Sequence, residues 1–154
     1  MANIESFIEG RQKLTSIFGR WPSFHDAEIL ELHFLRGHVQ TEKGIYNFPF
    51  LTLKVHSWEL TAEVDANGFL VLRNHTITTL KFTDVAEFQM EGFNHQNAML
   101  SLSVNRHERS EPPSPFFMVN IAPAFGMGAS FECTGIEVVD AVSCTADAQP
   151  LHQR

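Results

Sequence analysis

Apolar side chains recur at helical spacing only once in this chain, before residue 19, and at strand spacing almost everywhere after it. Ile4, Phe7, Ile8, Leu14, Ile17 and Phe18 share one arc at about 100° per residue, with Glu5, Glu9, Gln12 and Ser16 opposite. This spacing predicts an amphipathic helix over residues 4–18. Asn3 would cap it, Glu5 would sit in its first turn, and Gly19 and Pro22 would stop it. No helix-length apolar pattern follows Phe18. Parallel strands need a crossover of a dozen or more residues, usually a helix, so a βαβ series is excluded.

Beyond the helix the period is two. Leu30, Leu32 and Phe34 alternate with Glu31 and His33, and Leu51, Leu53 and Val55 alternate with Thr52, Lys54 and His56. Such alternation describes a sheet buried on one face and polar on the other. Asp65-Ala66-Asn67-Gly68 is a turn signal. It leads into strands at 69–72 and 76–82, or one long strand bent near Asn74-His75. Ala86, Phe88 and Met90, then Ala98, Leu100, Leu102 and Val104, continue the alternation around a hairpin connection at 92–97. Residues 108–115 read as a mobile Pro-rich loop. Strands at 116–121, 131–133 and 136–142 follow. The expected class is α+β: a largely antiparallel sheet of about six to eight strands with one N-terminal helix packed on it. One domain is expected over 1–154, β-rich from 27 to 143, with a frayed tail from 145.

Fourteen Phe against one Tyr favours core filling over polar-tipped binding platforms. Cys133 and Cys144 lack metal or redox spacing and fit a reducing cytoplasm. Glu5 and Glu9 make the N-terminus unlike a signal peptide. No stretch approaches about 18 consecutive apolar residues, so no membrane span is expected.

The formal net charge is −7. Between Phe82 and Asp147 stand nine acids (Asp84, Glu87, Glu91, Glu108, Glu111, Glu132, Glu137, Asp140, Asp147) and two bases, Arg106 and Arg109. Phosphate binding needs Lys and Arg, so nucleic acid is not an expected partner. A basic protein is the natural complement, although modest acidity also serves solubility alone.

The residues that look chemical do not assemble into a reaction site. His25, Asp26 and Glu28 carry metal-ligand atoms, but near-adjacent residues rarely converge on one ion, and no His-Glu-x-x-His is present. As a turn, Asp26 would accept backbone hydrogen bonds, and His25 would bond a carbonyl or Asp26. His33 and His56 would be neighbours if their strands pair, which leaves a metal or small-ligand module as the alternative reading. No Gly-x-Ser-x-Gly elbow occurs. Cys133, beside Glu132, has surroundings that oppose a thiolate. Gly126-Met127-Gly128 lacks the Lys-Ser/Thr of a phosphate loop and reads as a turn before a strand. No catalytic residue, metal ligand or cofactor is therefore assigned. The polar run from Phe82 to Ser110, led by Glu87, Glu91, Asn94 and Asn97, is the candidate contact surface for a protein partner.

The stretch Trp21-Pro22-Ser23-Phe24-His25-Asp26-Ala27-Glu28, with Arg36 near the end of the next strand, resembles the immunity protein 50 family. Leu80-Lys81-Phe82 before Val85, Phe93-Asn94-x-Gln96-Asn97, and Phe131-Glu132-Cys133 followed by Ile136-Glu137-Val138 resemble it too. The resemblance implies a cytoplasmic, non-enzymatic bacterial protein that binds a cognate secreted toxin domain and occludes it. It transfers no catalytic residue. It leaves Trp21, Pro22, Phe24, His25, Asp26 and Glu28 as scaffold, and it does not say which surface binds.

Overall fold

The computed structural model, which describes residues 4–40, 42, 44–47 and 49–151, divides the N-terminal amphipathic stretch at Gly10. Ile4–Phe7 forms one 3-10 turn, Ile8–Glu9 a short strand (β1), and Gln12–Phe18 the helix (α1). The helix expected over 4–18 is thus shortened to its second half. Gly10 has φ +74°, and a Cβ there would lie 2.5 Å from the Val138 carbonyl oxygen. A side chain would block this approach of backbone to backbone. The apolar arc still works, because Ile8 and Leu14 are both buried. At the other end Gly19 is left-handed, and its N–H donates to the Thr15 carbonyl (2.8 Å), the stop expected of it. The cap expected from Asn3 falls outside the described residues.

The further strands are β2 (Glu28–Leu35), β3 (His38–Gln40), β4 (Ile45–Asn47), β5 (Phe50–Val64), β6 (Leu70–Thr83) and β7 (Ala86–Glu91). Then come β8 (Met99–His107), β9 (Phe116–Pro123), β10 (Gly128–Cys133) and β11 (Gly135–Ser143). The expected α+β class, with antiparallel pairing dominant and one N-terminal helix, is what the structure shows. The strands are shared between a five-stranded sheet, β1-β11-β6-β5-β2, and a four-stranded sheet, β7-β10-β9-β8, with β3-β4 a separate hairpin. Among the described residues the one parallel pair is β1 with β11, held by the short N-terminal strand rather than by a crossover.

Alternation decides what each sheet buries. Leu53, Leu80 and Val138 on the first sheet, and Val119, Ile121 and Phe131 on the second, are each at most 2% exposed and belong to one cluster. Aromatic contacts tie the sheets together: Phe82 meets Phe131 edge-on at 5.0 Å, and Phe34 stacks on Phe88 at 4.6 Å. The expectation that phenylalanines fill the core holds for Phe24, Phe82, Phe117 and Phe131, whereas Phe69, Phe93 and Phe125 lie exposed. Backbone bonds also stitch the start of β2 to the start of β8. Met99 N–H donates to Ala27 (2.9 Å) and Ile29 N–H to Asn97 (3.0 Å).

Two segments are better held than their composition suggests. In the Pro-rich loop, Arg109 donates to the Pro113 carbonyl and lays its guanidinium over Phe116, 3.8 Å from the ring centroid. At the C-terminal end, Cys144 bridges to Pro150, and Leu151 N–H donates to Ser143. The tail expected to fray from 145 therefore curls back as far as residue 151.

One pair of strands outruns its sheet. β2 accompanies β5 only as far as Glu28↔His56, and β11 accompanies β6 only from Ser143↔Thr76 onward. From Ser57 to His75 the β5–β6 hairpin continues with no strand paired on either outer edge among the described residues. Asn74, at φ +57°, marks the bend expected near Asn74-His75. Asp65 closes the tip, its carboxylate accepting from Asn67 N–H (2.8 Å) and Phe69 N–H (3.0 Å).

Candidate partner-binding surfaces

The Trp21–Glu28 stretch is a tight connection between α1 and β2. Phe24 and Asp26 both take left-handed φ, +59° and +67°, which non-glycine residues adopt sparingly and at a cost. The turn is held from inside: Phe24 and Ala27 are buried, and Trp21 packs edge-on against Phe24 at 5.6 Å. His25 Nδ1 bonds the Leu100 carbonyl at 2.8 Å, the carbonyl partner expected of it. Asp26 departs from expectation. Its N–H donates to Met99 (2.9 Å), while its carboxylate stays 64% exposed with His25 Nε2 3.7 Å away. The backbone of Asp26 therefore does the anchoring, and its charge is left facing outward. Glu28 enters β2 and pairs across to His56.

This turn and the base of the β5–β6 arm enclose a groove of about 690 Å³. Trp21, Pro22, His25 and Asp26 line one wall, and Trp58 and Leu60 the other.

Beyond the groove the arm is amphipathic. Leu60 pairs directly with Leu72, and Val64 with Leu70. Cross-strand partners share a face, as do positions two apart on a strand, so these four side chains form one continuous apolar face. They are exposed by 64%, 39%, 60% and 48% respectively, and Phe69 at the tip by 70%. Glu59 pairs with Arg73 on the opposite face. There Arg73 bonds Glu63, and Asn74 Nδ2 donates to Glu59 at 2.8 Å. The polar face is thus tied up within the arm, and the apolar face is left largely open to solvent. The sequence reading missed this surface, although its signal stands in Trp58, Leu60, Ala62 and Val64 alternating with Glu59, Thr61 and Glu63.

The four residues expected to lead a contact surface separate in the structure. Glu87 and Glu91 are exposed on β7, an edge strand, with Glu87 at φ +53° beside an irregularity in the β7–β10 register. Asn94 is exposed, and its amide closes the loop by donating to Gly92 (3.0 Å). Asn97 is 2% exposed, its side chain turned into the fold rather than toward solvent. Its Oδ1 accepts from Asn94 N–H (2.9 Å) and Met127 N–H (3.2 Å). Its Nδ2 donates to Asn94 (2.7 Å) and Ile29 (3.3 Å) carbonyls. An Asn in a polar loop sequence looks solvated, but here the loop folds over it.

The histidines do not converge as supposed. His33 pairs across to Thr52, whereas His56 Nε2 bonds His75 Nδ1 at 3.0 Å, with Trp58 against both rings. No group of three or more His, Cys, Asp or Glu among the described residues is placed to hold a metal ion. Burial, aided by His75 and opposed by Glu28, lowers the pKa of His56 below the ordinary imidazole range. The fold therefore prefers neutral His56. Its contribution to stability is present above the ordinary imidazole pKa and is lost as pH falls toward the folded value. Between about pH 7.5 and pH 5.5, the thermal midpoint is expected to fall less for His56→Gln than for the natural chain. Equal falls would remove His56 as the cause.

Cys133 and Cys144 are both free and buried. Burial pushes the Cys133 thiol up to about 12, so its thiolate is suppressed, as its neighbours in sequence suggest. Among the described residues no helix is long and apolar enough to cross a membrane.

No curated protein and no solved structure matches this chain. The family model for Immunity protein 50 does, over residues 10–143. That span runs from the close glycine before α1, through the Trp21–Glu28 turn, to the last residue of β11, and on this match the chain belongs to the immunity protein 50 family.

Proposed function

We propose that this protein is a cytoplasmic immunity protein that binds a cognate toxin domain one-to-one and occludes its active site, acting by binding rather than by catalysis. Membership of the immunity protein 50 family carries this reading. The net charge of −7 supports it by favouring a basic partner over a nucleic acid. In this reading Trp21, Pro22, Phe24 and His25 hold the turn, and the exposed carboxylates of Glu87 and Glu91, with exposed Asn94 in the loop after β7, draw the partner in. The test is co-expression with the C-terminal domain of the toxin-like protein encoded beside this chain. Growth rescue with a stable one-to-one complex is the expected result. A domain that is toxic alone, is not rescued and does not co-purify would overturn the reading.

Electrostatic attraction acts on association more than on residence. Glu87→Lys with Glu91→Lys is expected to slow association with that toxin domain by about tenfold at low salt, with the difference shrinking as salt is added. Neither carboxylate is buried, and neither is ion-paired among the described residues, so the melting temperature should not move. An unchanged association rate would remove these two residues from the steering surface.

A further inference from the structure

We infer that the apolar face of the β5–β6 arm, Leu60, Val64, Leu70 and Leu72 with Phe69 at its tip, is the anchor that seats on the toxin domain. This rests on the proposed immunity function and names its surface. Two-stranded hairpins are marginal in water without a covered face, yet here Leu60, Val64, Leu70 and Leu72 form one face that is 39% to 64% exposed, and Phe69 at the tip is 70% exposed. Contiguous apolar surface of this kind marks an interaction site. The polar face is occupied with its own contacts, Arg73 to Glu63 and Asn74 to Glu59, so the arm offers a partner one side only. Leu60 also lines the groove beside Trp21 and Pro22, so the apolar face runs into a concave seat at the arm's base.

Charge decides the occupant. Between Ser57 and His75 the acids are Glu59, Glu63 and Asp65, against the single base Arg73. A second copy would bring an equally acidic arm and another net charge of −7, which disfavours arm-to-arm pairing. A basic protein surface with an apolar cleft fits both the face and its rim. Bulges between Ser57 and Glu59, and between Leu60 and Val64, interrupt the open edges and hinder strand-to-strand pairing between copies.

The test combines Leu60→Thr, Val64→Thr and Leu72→Thr, which keep strand propensity, with Phe69→Ser. The probe is the toxin domain used for the rescue experiment. Dissociation is expected to quicken by about 100-fold, with far-ultraviolet circular dichroism and melting temperature unchanged and rescue lost at low expression. A second variant, Phe69→Ser alone, guards against loosening of the hairpin and is expected to quicken dissociation by about tenfold. If the natural chain binds and both variants dissociate at its rate, the anchor is elsewhere and the immunity function stands. If the natural chain does not bind a domain that is toxic alone, the function fails and the anchor with it. Light scattering of the protein alone is expected to report a monomer. A dimer dissolved by the four substitutions would assign the face to a second copy instead and overturn the inference.

Discussion

Asn97→Ala is expected to lower the unfolding free energy by about 4 kcal/mol and to leave the toxin complex unaltered wherever the variant is folded. The side chain is 2% exposed and joins three separate pieces of chain: the 92–97 loop, the start of β2 and the turn before β10. Alanine removes the acceptor for Asn94 N–H and Met127 N–H and the donor for the Ile29 carbonyl. Each buried backbone group left without a partner costs about 1–3 kcal/mol, more than the net gain from making the bond. Asn97→Asp separates the two halves of the side chain. It keeps the acceptor for both N–H groups, loses both donations, and should recover part of the loss. Urea unfolding measures the cost, and surface binding at a temperature where the variant stays folded measures the contact. A variant as stable as the natural chain that has lost the partner would reverse this assignment and return Asn97 to the interface.

Gly126→Ala is expected to cost about 3–5 kcal/mol by a different route. Gly126 has φ +74°, and a Cβ there would lie 2.1 Å from the Gln96 carbonyl oxygen and 2.6 Å from Asn97 Oδ1. The first of these is backbone and cannot rotate away, so the two loops must part. Left-handed strain adds to the overlap. Because one clash is with Asn97 itself, the two substitutions should couple. Gly126→Ala combined with Asn97→Ala is expected to cost less than the sum of the singles, read from a double-mutant cycle in urea. Additive costs would mean that the loops do not meet as described.

These two positions also show how far the sequence could be read. Period-two alternation carried the strands at 51–55 and 76–82 because burial on one face leaves that imprint. It located those at 30–34 and 98–104 too, but there the bulges after Ile29 and Met99 bury those residues and leave Leu30, Phe34 and Leu100 exposed. It carried the α+β class for the same reason. It did not divide the strands between two sheets, since a strand buried against a second sheet alternates like one buried under a helix. The helix was overextended because Gly10 scores only as a weak spot in an amphipathic arc. Its close approach to Val138 depends on a residue far along the chain. Asn97 was misplaced by composition: Phe93-Asn94-His95-Gln96-Asn97 is polar, and nothing local reveals that another loop closes over its last member. His33 and His56 were brought together by their shared polar phase, but register sets His33 opposite Thr52 and His56 opposite Glu28. The arm was overlooked for the converse reason. Leu60 and Leu72 look like half of a core, and only the early end of β2 and of β11 pairing shows that no other half is present.

The arm's isolation has a consequence for how such a chain can change. Its apolar residues are 39% to 70% exposed and lie outside the cluster that joins the two sheets, so replacing them alters little of what holds those sheets together. Adaptation to an altered partner can proceed there by single substitutions, each judged on recognition alone, while Asn97, Gly126 and the paired phenylalanines stay fixed beneath.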